Sequence, residues 1–288
     1  EAVQSLGRIL LVAAFYLPIH GWCAAASADD NETVIADISA GYHLNSLRGY
    51  RGKVGEYEVL DDGAETSFSL NGIKNNASFK LTGDMRDKED QSYSMKFSSG
   101  TGLESGFSYS RFQHYLDHDP LSNQDFATDP DAGRSNVITV EDITLKNRGS
   151  LPGLPFVRFV ADWRSYSKRG HRQATTATGC TQCHVSSANR RVNSQLQDIS
   201  VGVQADIGPA TVSYAHLWRS FREHGDTPTT TYREDNSFYP ARGNQPFGKT
   251  ADSMAGEHKI QVRSALPFAS RFTSSLRWGE LKNRDTRH

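Results

Sequence analysis

Long hydrophobic runs are scarce in this 288-residue chain, whose mean hydropathy is −0.59. The apolar stretch from Ile9 to Leu17 is too short for a spanning helix, which needs about 20 residues. Such a chain is either soluble or a membrane β-barrel, because barrel strands alternate lipid-facing and lumen-facing residues and escape hydropathy plots. Charge of one sign is also missing: 32 Lys and Arg against 33 Asp and Glu leave a formal net charge of −1, which gives no pointer to nucleic acid. Cysteine is limited to three residues, Cys23, Cys180 and Cys183. A structural zinc site normally takes four ligands, and Cys23 lies far upstream of the other two. No nucleophile–base set, phosphate loop or distinctively placed carboxylate pair occurs, so the chain is not read as an enzyme.

What the chain does have is glycine and aromatic residues, with 24 Gly, 14 Phe and 11 Tyr, set in repeated period-two alternation. Phe68 and Leu70, then Ala77, Phe79 and Leu81, alternate with Ser, Lys and Thr across the 72–75 turn, which predicts a hairpin. Tyr93, Met95 and Phe97 face Leu103, Phe107 and Tyr109 in a second hairpin. Val157, Phe159, Ala161 and Trp163 form another apolar set, and Ile199, Val201, Val203, Ala205 and Ile207 give the clearest alternation. Over Val212 to Trp218 the alternation leaves the outward face open, whereas Ile260 and Val262, then Phe272, Leu276 and Trp278, resume it around Pro267. About eleven strands are expected, starting near Val34.

Connection lengths carry a second pattern. Short turns at 72–75, 100–102, 149–154, 208–209 and 266–267 alternate with longer connections at 85–90, 114–136, 169–195 and 221–255. Outer-membrane barrels sort their connections this way, with short periplasmic turns and long extracellular loops. A sandwich or propeller has no reason to do so. The predicted fold is therefore all-β: a transmembrane antiparallel β-barrel of the bacterial outer membrane. An odd strand count makes this an incomplete, N-terminal portion, since single-chain barrels normally have an even number. On the polar strand faces, Lys80, Lys96, Arg158, Arg164, Lys259, Arg263, Arg271 and Arg277 would give a basic lumen. The domain reading is 1–28 as a secretory signal truncated at its start, with Arg8 before the apolar run and Ala26-Ser27-Ala28 before the cut, 29–33 as a periplasmic segment, and 34–288 as barrel.

The most specific motif is Cys180-Thr181-Gln182-Cys183-His184, on the expected loop 169–195. Two thiols three apart followed by an imidazole match c-type haem attachment, in which the sulfurs of Cys180 and Cys183 take the vinyl groups and His184 becomes the proximal iron ligand. A Cys180–Cys183 disulfide is the plain alternative. His171 is the nearest candidate for a second axial ligand; His114, His118 and His224 sit on other long connections, without diagnostic spacing. Met85 and Met254 also lie near loops. Asp117, Asp119, Asp125, Asp129 and Asp131 follow no known Ca²⁺-loop spacing.

The haem motif, the following Asn189-Arg190-Arg191-Val192 and the strand pair from Asp198 to Tyr214 resemble the MtrB/PioB family of decahaem-associated outer-membrane β-barrel proteins. That resemblance implies an insulating sheath for a periplasmic multihaem cytochrome, often meeting an extracellular multihaem cytochrome, so that electrons cross the outer membrane between haems. The simplest members carry no haem on the barrel chain, so here haem c would be an added relay. The other readings are a diffusive porin with a structural Cys-x-x-Cys, and a soluble, β-rich monohaem enzyme.

Overall fold

The computed structural model describes residues 32–46, 51–57, 61–122, 129, 131, 133–151, 153–177, 185–232, 243–248 and 250–284. The expected signal segment, 1–28, and the motif Cys180–His184 lie outside the described residues. Eleven strands form one sheet in antiparallel meander order: β1 (Glu32–His43), β2 (Gly63–Lys74), β3 (Ala77–Asp87), β4 (Asp90–Ser98), β5 (Leu103–Leu116), β6 (Asn136–Leu151), β7 (Leu154–Ala177), β8 (Val185–Ile207), β9 (Ala210–Glu223), β12 (Ser253–Leu266) and β13 (Ser270–Asn283). A two-stranded ribbon, β10 (Thr229–Tyr232) with β11 (Gly243–Pro246), lies in the β9–β12 connection. Among the described residues one short helix, α1 (Arg51–Gly55), lies between β1 and β2. The chain is thus all-β and antiparallel, as its alternation predicts. Among the described residues the sheet is open, with β1 and β13 at its edges.

Directly opposed residues of neighbouring strands share a face, so register shows what the alternation builds. One continuous row runs Ala36, Leu70, Leu81, Met95, Phe107, Leu145, Trp163, Ile199 and Trp218. The row below it on β7 to β13 holds Ala161, Val201, His216, His258 and Trp278. Every apolar set read from the sequence falls on this one face. The open question over Val212 to Trp218 is settled: Val212, Tyr214, His216 and Trp218 lie on the apolar face. The face remains exposed, with Val203, Trp218 and Trp278 each close to half accessible and Leu276 more so. On β8 the apolar positions run from Ile199 to Ile207, about 25–30 Å of strand at roughly 3.3 Å per residue. That matches the roughly 25 Å apolar band of membrane barrels.

The opposite face is polar, and it carries all eight of the cations placed there from sequence. Its charge is less one-sided than the expected basic lumen, because acidic residues meet three of the eight, and also Arg219, across strands. Arg158 pairs with Asp206 at 2.9 Å, Arg164 with Asp142 at 2.6 Å, Arg219 with Asp198 at 2.7 Å and Arg277 with Glu257 at 4.0 Å.

The two ends of the sheet differ. At one end the connections are two to four residues long, between Lys74 and Ala77, Ser98 and Leu103, Leu151 and Leu154, Ile207 and Ala210, and Leu266 and Ser270. Asn75 and Gly208 turn with φ of 50° and 57°, the left-handed conformation that tight hairpins require. At the other end lie 44–62, 117–135, 178–184 and 224–252. Two expectations are corrected here. The 85–90 connection is a tight turn between Asp87 and Asp90 beside a register shift near Met85. The 169–195 loop is mostly strand: β7 and β8 pair from Val157↔Ala205 to Ala177↔Val185, leaving only residues 178–184 as the connection. Both strands, 24 and 23 residues long, far exceed the roughly 9–11 that cross a bilayer.

Candidate functional site: the capped end of the β7–β8 hairpin

Beyond Trp163 the apolar alternation stops, and β7 continues for fourteen residues to Ala177, about 45 Å of strand. The hairpin outgrows both neighbours: β6 starts opposite this segment at Asn136, and β9 ends at Glu223 opposite Ser194. Two free edges with unpaired peptide groups result, and such edges invite pairing with other chains. Each is covered by a long connection. On the β8 side, His224 N–H donates to Asn193 O at 2.8 Å and Asp226 N–H to Arg191 O at 3.0 Å. On the β7 side, Asp119 N–H donates to Gln173 Oε1 and Gln173 Nε2 to Asp119 O, both at 2.8 Å; the same connection also reaches β8, where Asn189 N–H donates to Asp131 Oδ2 at 2.7 Å.

This covered end is where the buried residues gather. Leu121, Ile138, Val192, Asn136, Ser187, Arg190 and Ser194 are all buried here, while the apolar face described above stays open. Arg190 is 1 % exposed. Its guanidinium lies 3.6 Å from the Glu223 carboxylate, donates through Nε to Asp226 O at 3.2 Å, and through Nη1 to Gly248 O. Glu223 is held in turn by the N–H groups of Gly225 at 2.7 Å and Asn193 at 3.1 Å. Arg190, paired with Glu223 at the end of β9, therefore ties the 224–252 connection to β8 through the carbonyls of Asp226 and Gly248. A buried charge needs such full pairing, because a lone one is costly.

Of the sequence-predicted site residues, His171 is among the described residues and Cys180, Cys183 and His184 are not. His171 sits on β7, exposed, opposite Arg191 and on the same face as Trp163. About 20 Å of strand lies between it and the start of the 178–184 connection. Cys180, Cys183 and His184 are in that connection, outside the described residues. His118 is engaged structurally: Nε2 lies 2.5 Å from Asp129 Oδ2 and Nδ1 3.1 Å from Asn136 Nδ2. His114 Nδ1 contacts Glu56 O at 2.5 Å, and the His224 side chain is exposed. Met85 and Met254 both sit partly exposed on the apolar side. Among the described residues no group of three or more His, Cys, Asp or Glu forms a metal cluster. Asp117 and Asp119 instead cap backbone N–H groups of their own loop, and Asp131 pairs with Arg134 at 3.0 Å. The Arg190 network was missed because Arg190-Arg191 reads as solvated charge; Glu223 gives no sequence signal of being its partner.

Tyr115, near the same end, donates to Glu89 Oε2 at 2.7 Å. That hydrogen bond to a carboxylate, with burial, pushes the phenol up to about 12 from 10. A raised phenol favours the folded state fully below the unfolded value of 10, and the contribution is lost as pH rises through 10 to about 12. Stability measured across that window should fall, and Tyr115→Phe should remove this component of the fall. A variant with the same pH slope as the parent contradicts the assignment.

No family model, curated protein or solved structure matches the chain.

Proposed function

We propose that the chain forms the wall of a bacterial outer-membrane β-barrel that sheaths or docks multihaem c-type cytochromes for electron transfer across that membrane, and that it carries one haem c of its own. The observation that carries the membrane part is the sheet itself. One face is a continuous exposed apolar band of membrane height, the other is polar and ion-paired, and short turns lie at one end with long connections at the other. Exposed apolar surface on this scale marks a contact with lipid or protein. In a bilayer the peptide groups of β1 and β13 need partners, so residence there requires closure, either of these edges on each other or through further strands.

The conduit part rests on Cys180-Thr181-Gln182-Cys183-His184 and on the family resemblance that surrounds it. Cys180 and Cys183 would hold the haem through thioether bonds and His184 would ligate its iron, the donor set of c-type haem. The group would supply a one-electron relay. The flanking strand ends support a narrower role: Ala177 and Val185 lie some 45 Å of strand past the apolar band, more than a bilayer core of about 30 Å. A haem there serves the outer end of a conduit, where an extracellular cytochrome docks. The transmembrane stretch is left to a periplasmic cytochrome inside the barrel.

The test is covalent haem on the purified chain after export with a c-type maturation system. The expected result is haem staining on a denaturing gel and a c-type reduced α-band, both lost in Cys180→Ser/Cys183→Ser. A colourless chain with a Cys180–Cys183 disulfide overturns the relay; the sheath does not depend on it, and binding of a multihaem cytochrome by the chain separates the sheath from a diffusive porin.

A further inference from the structure

Most arginines of the polar face have an acidic partner across the strand, but one group of cations does not. Lys80 and Lys96 are directly opposed on β3 and β4, and the same row continues through Gly106 to Lys146. Arg148 lies on the adjoining row, opposite Glu104. All four cations are exposed, and among the described residues none forms an ion pair. The nearby acids are Glu104 and Asp162, the latter opposite Lys146, and neither comes within ion-pair distance of the four. Two acids against four cations leave an excess of positive charge. The four line one cavity of about 640 Å³, with Asn71 and Ser98 contributing polar groups at its wall.

Like charges directly opposed on neighbouring strands destabilise a sheet, so Lys80 facing Lys96 works against the fold. Gly106 adds to the same picture: a Cβ there would meet nothing within 4 Å, so the space between Lys96 and Lys146 is open. Flanking strands at about 4.8 Å spacing bring three ammonium groups and one guanidinium within reach of a single small anion. Phosphate and carboxylate oxygens are the groups that accept several such donors at once.

We propose that Lys80, Lys96, Lys146 and Arg148 form a binding site for a multivalent oxyanion, phosphate- or carboxylate-bearing, on the polar face of the sheet. The site stands on register and charge and is independent of haem attachment. Behind the apolar band, it sits on the lumen side of the wall and sets an anion preference for whatever passes or seats there.

Calorimetry on the full chain in detergent at low salt tests it, with pyrophosphate and citrate as the two probes. The expected result is saturable one-site binding of at least one probe. The tighter probe identifies the phosphate or the carboxylate class. Lys80→Gln/Lys96→Gln should weaken binding about tenfold or more, and added salt should weaken it further, as screening requires. Lys259→Gln, a cation of the same face outside the cavity, should leave it unchanged. No saturable binding of either probe, or equal weakening by Lys259→Gln, overturns the site.

Discussion

Arg190→Met should lower the unfolding free energy by about 3–5 kcal/mol, the range for breaking a buried ion pair by removing one partner. The size follows from what is left behind. Arg190 is almost wholly enclosed, and its loss strands the Glu223 carboxylate in the same low-dielectric setting while freeing the carbonyls of Asp226 and Gly248. Denaturant unfolding in micelles measures the loss, and limited proteolysis within 224–252 locates it, since that connection is what the guanidinium holds to β8. The double variant Arg190→Met/Glu223→Leu should recover part of the stability, because two apolar groups no longer leave a charge unpaired. If Arg190→Met is neutral and 224–252 stays protected, the ion pair does not tether that connection.

Gly170→Ala is the second large effect. Gly170 sits on β7 opposite Ile138, near the end of β6, with φ of +145°. A methyl group there would stand 1.9 Å from the carbonyl oxygen of Val137, and backbone cannot swing aside as a side chain can. The substitution combines a strained backbone conformation, on the order of 1–3 kcal/mol, with a forced shift of the β6 end costing a similar amount. A loss of roughly 3 kcal/mol or more in unfolding free energy is expected. Backbone amide exchange should rise first at Ile138 and Asn136, the buried residues beside the clash. By contrast Gly153→Ala, at a turn position where a Cβ meets nothing, carries the cost of its φ of 79° alone. Equal losses at both positions would show that crowding at Gly170 contributes nothing.

The apolar band was legible because burial or lipid contact acts on side chains with the period of the strand. Phe79, Met95, Phe107, Trp163 and Val201 alternate with polar neighbours, and the register places each on one face. The tight turns were legible for a similar local reason: Asn75 and Gly208 are residue types that tolerate positive φ. The extension of β7 and β8 was not. From Ser165 to Gln173 both faces carry polar residues, since long connections and water cover them, so the period-two signal disappears while the backbone ladder continues. Reading hydrophobic alternation alone turns that ladder into a loop. The 85–90 segment failed for the opposite reason, its charges suggesting a loop where a register shift and a two-residue turn suffice. Ion pairing across strands was equally hidden. Arg164 and Asp142 are 22 positions apart and become partners only through the β6–β7 register.

The most direct test of the central claim is solvent accessibility along β8. Single cysteines placed from Asp198 to Ile207 in a Cys23→Ser/Cys180→Ser/Cys183→Ser background, carried by the chain folded into lipid vesicles, would take a nitroxide label. Collision with oxygen, enriched in lipid, and with a water-soluble nickel chelate would then be compared at each site. The account predicts strict alternation. Positions 199, 201, 203 and 205 should favour oxygen, and positions 198, 200, 202 and 204 should favour the chelate. Equal chelate access at both sets, or a chain that stays in the aqueous phase, would contradict a membrane wall.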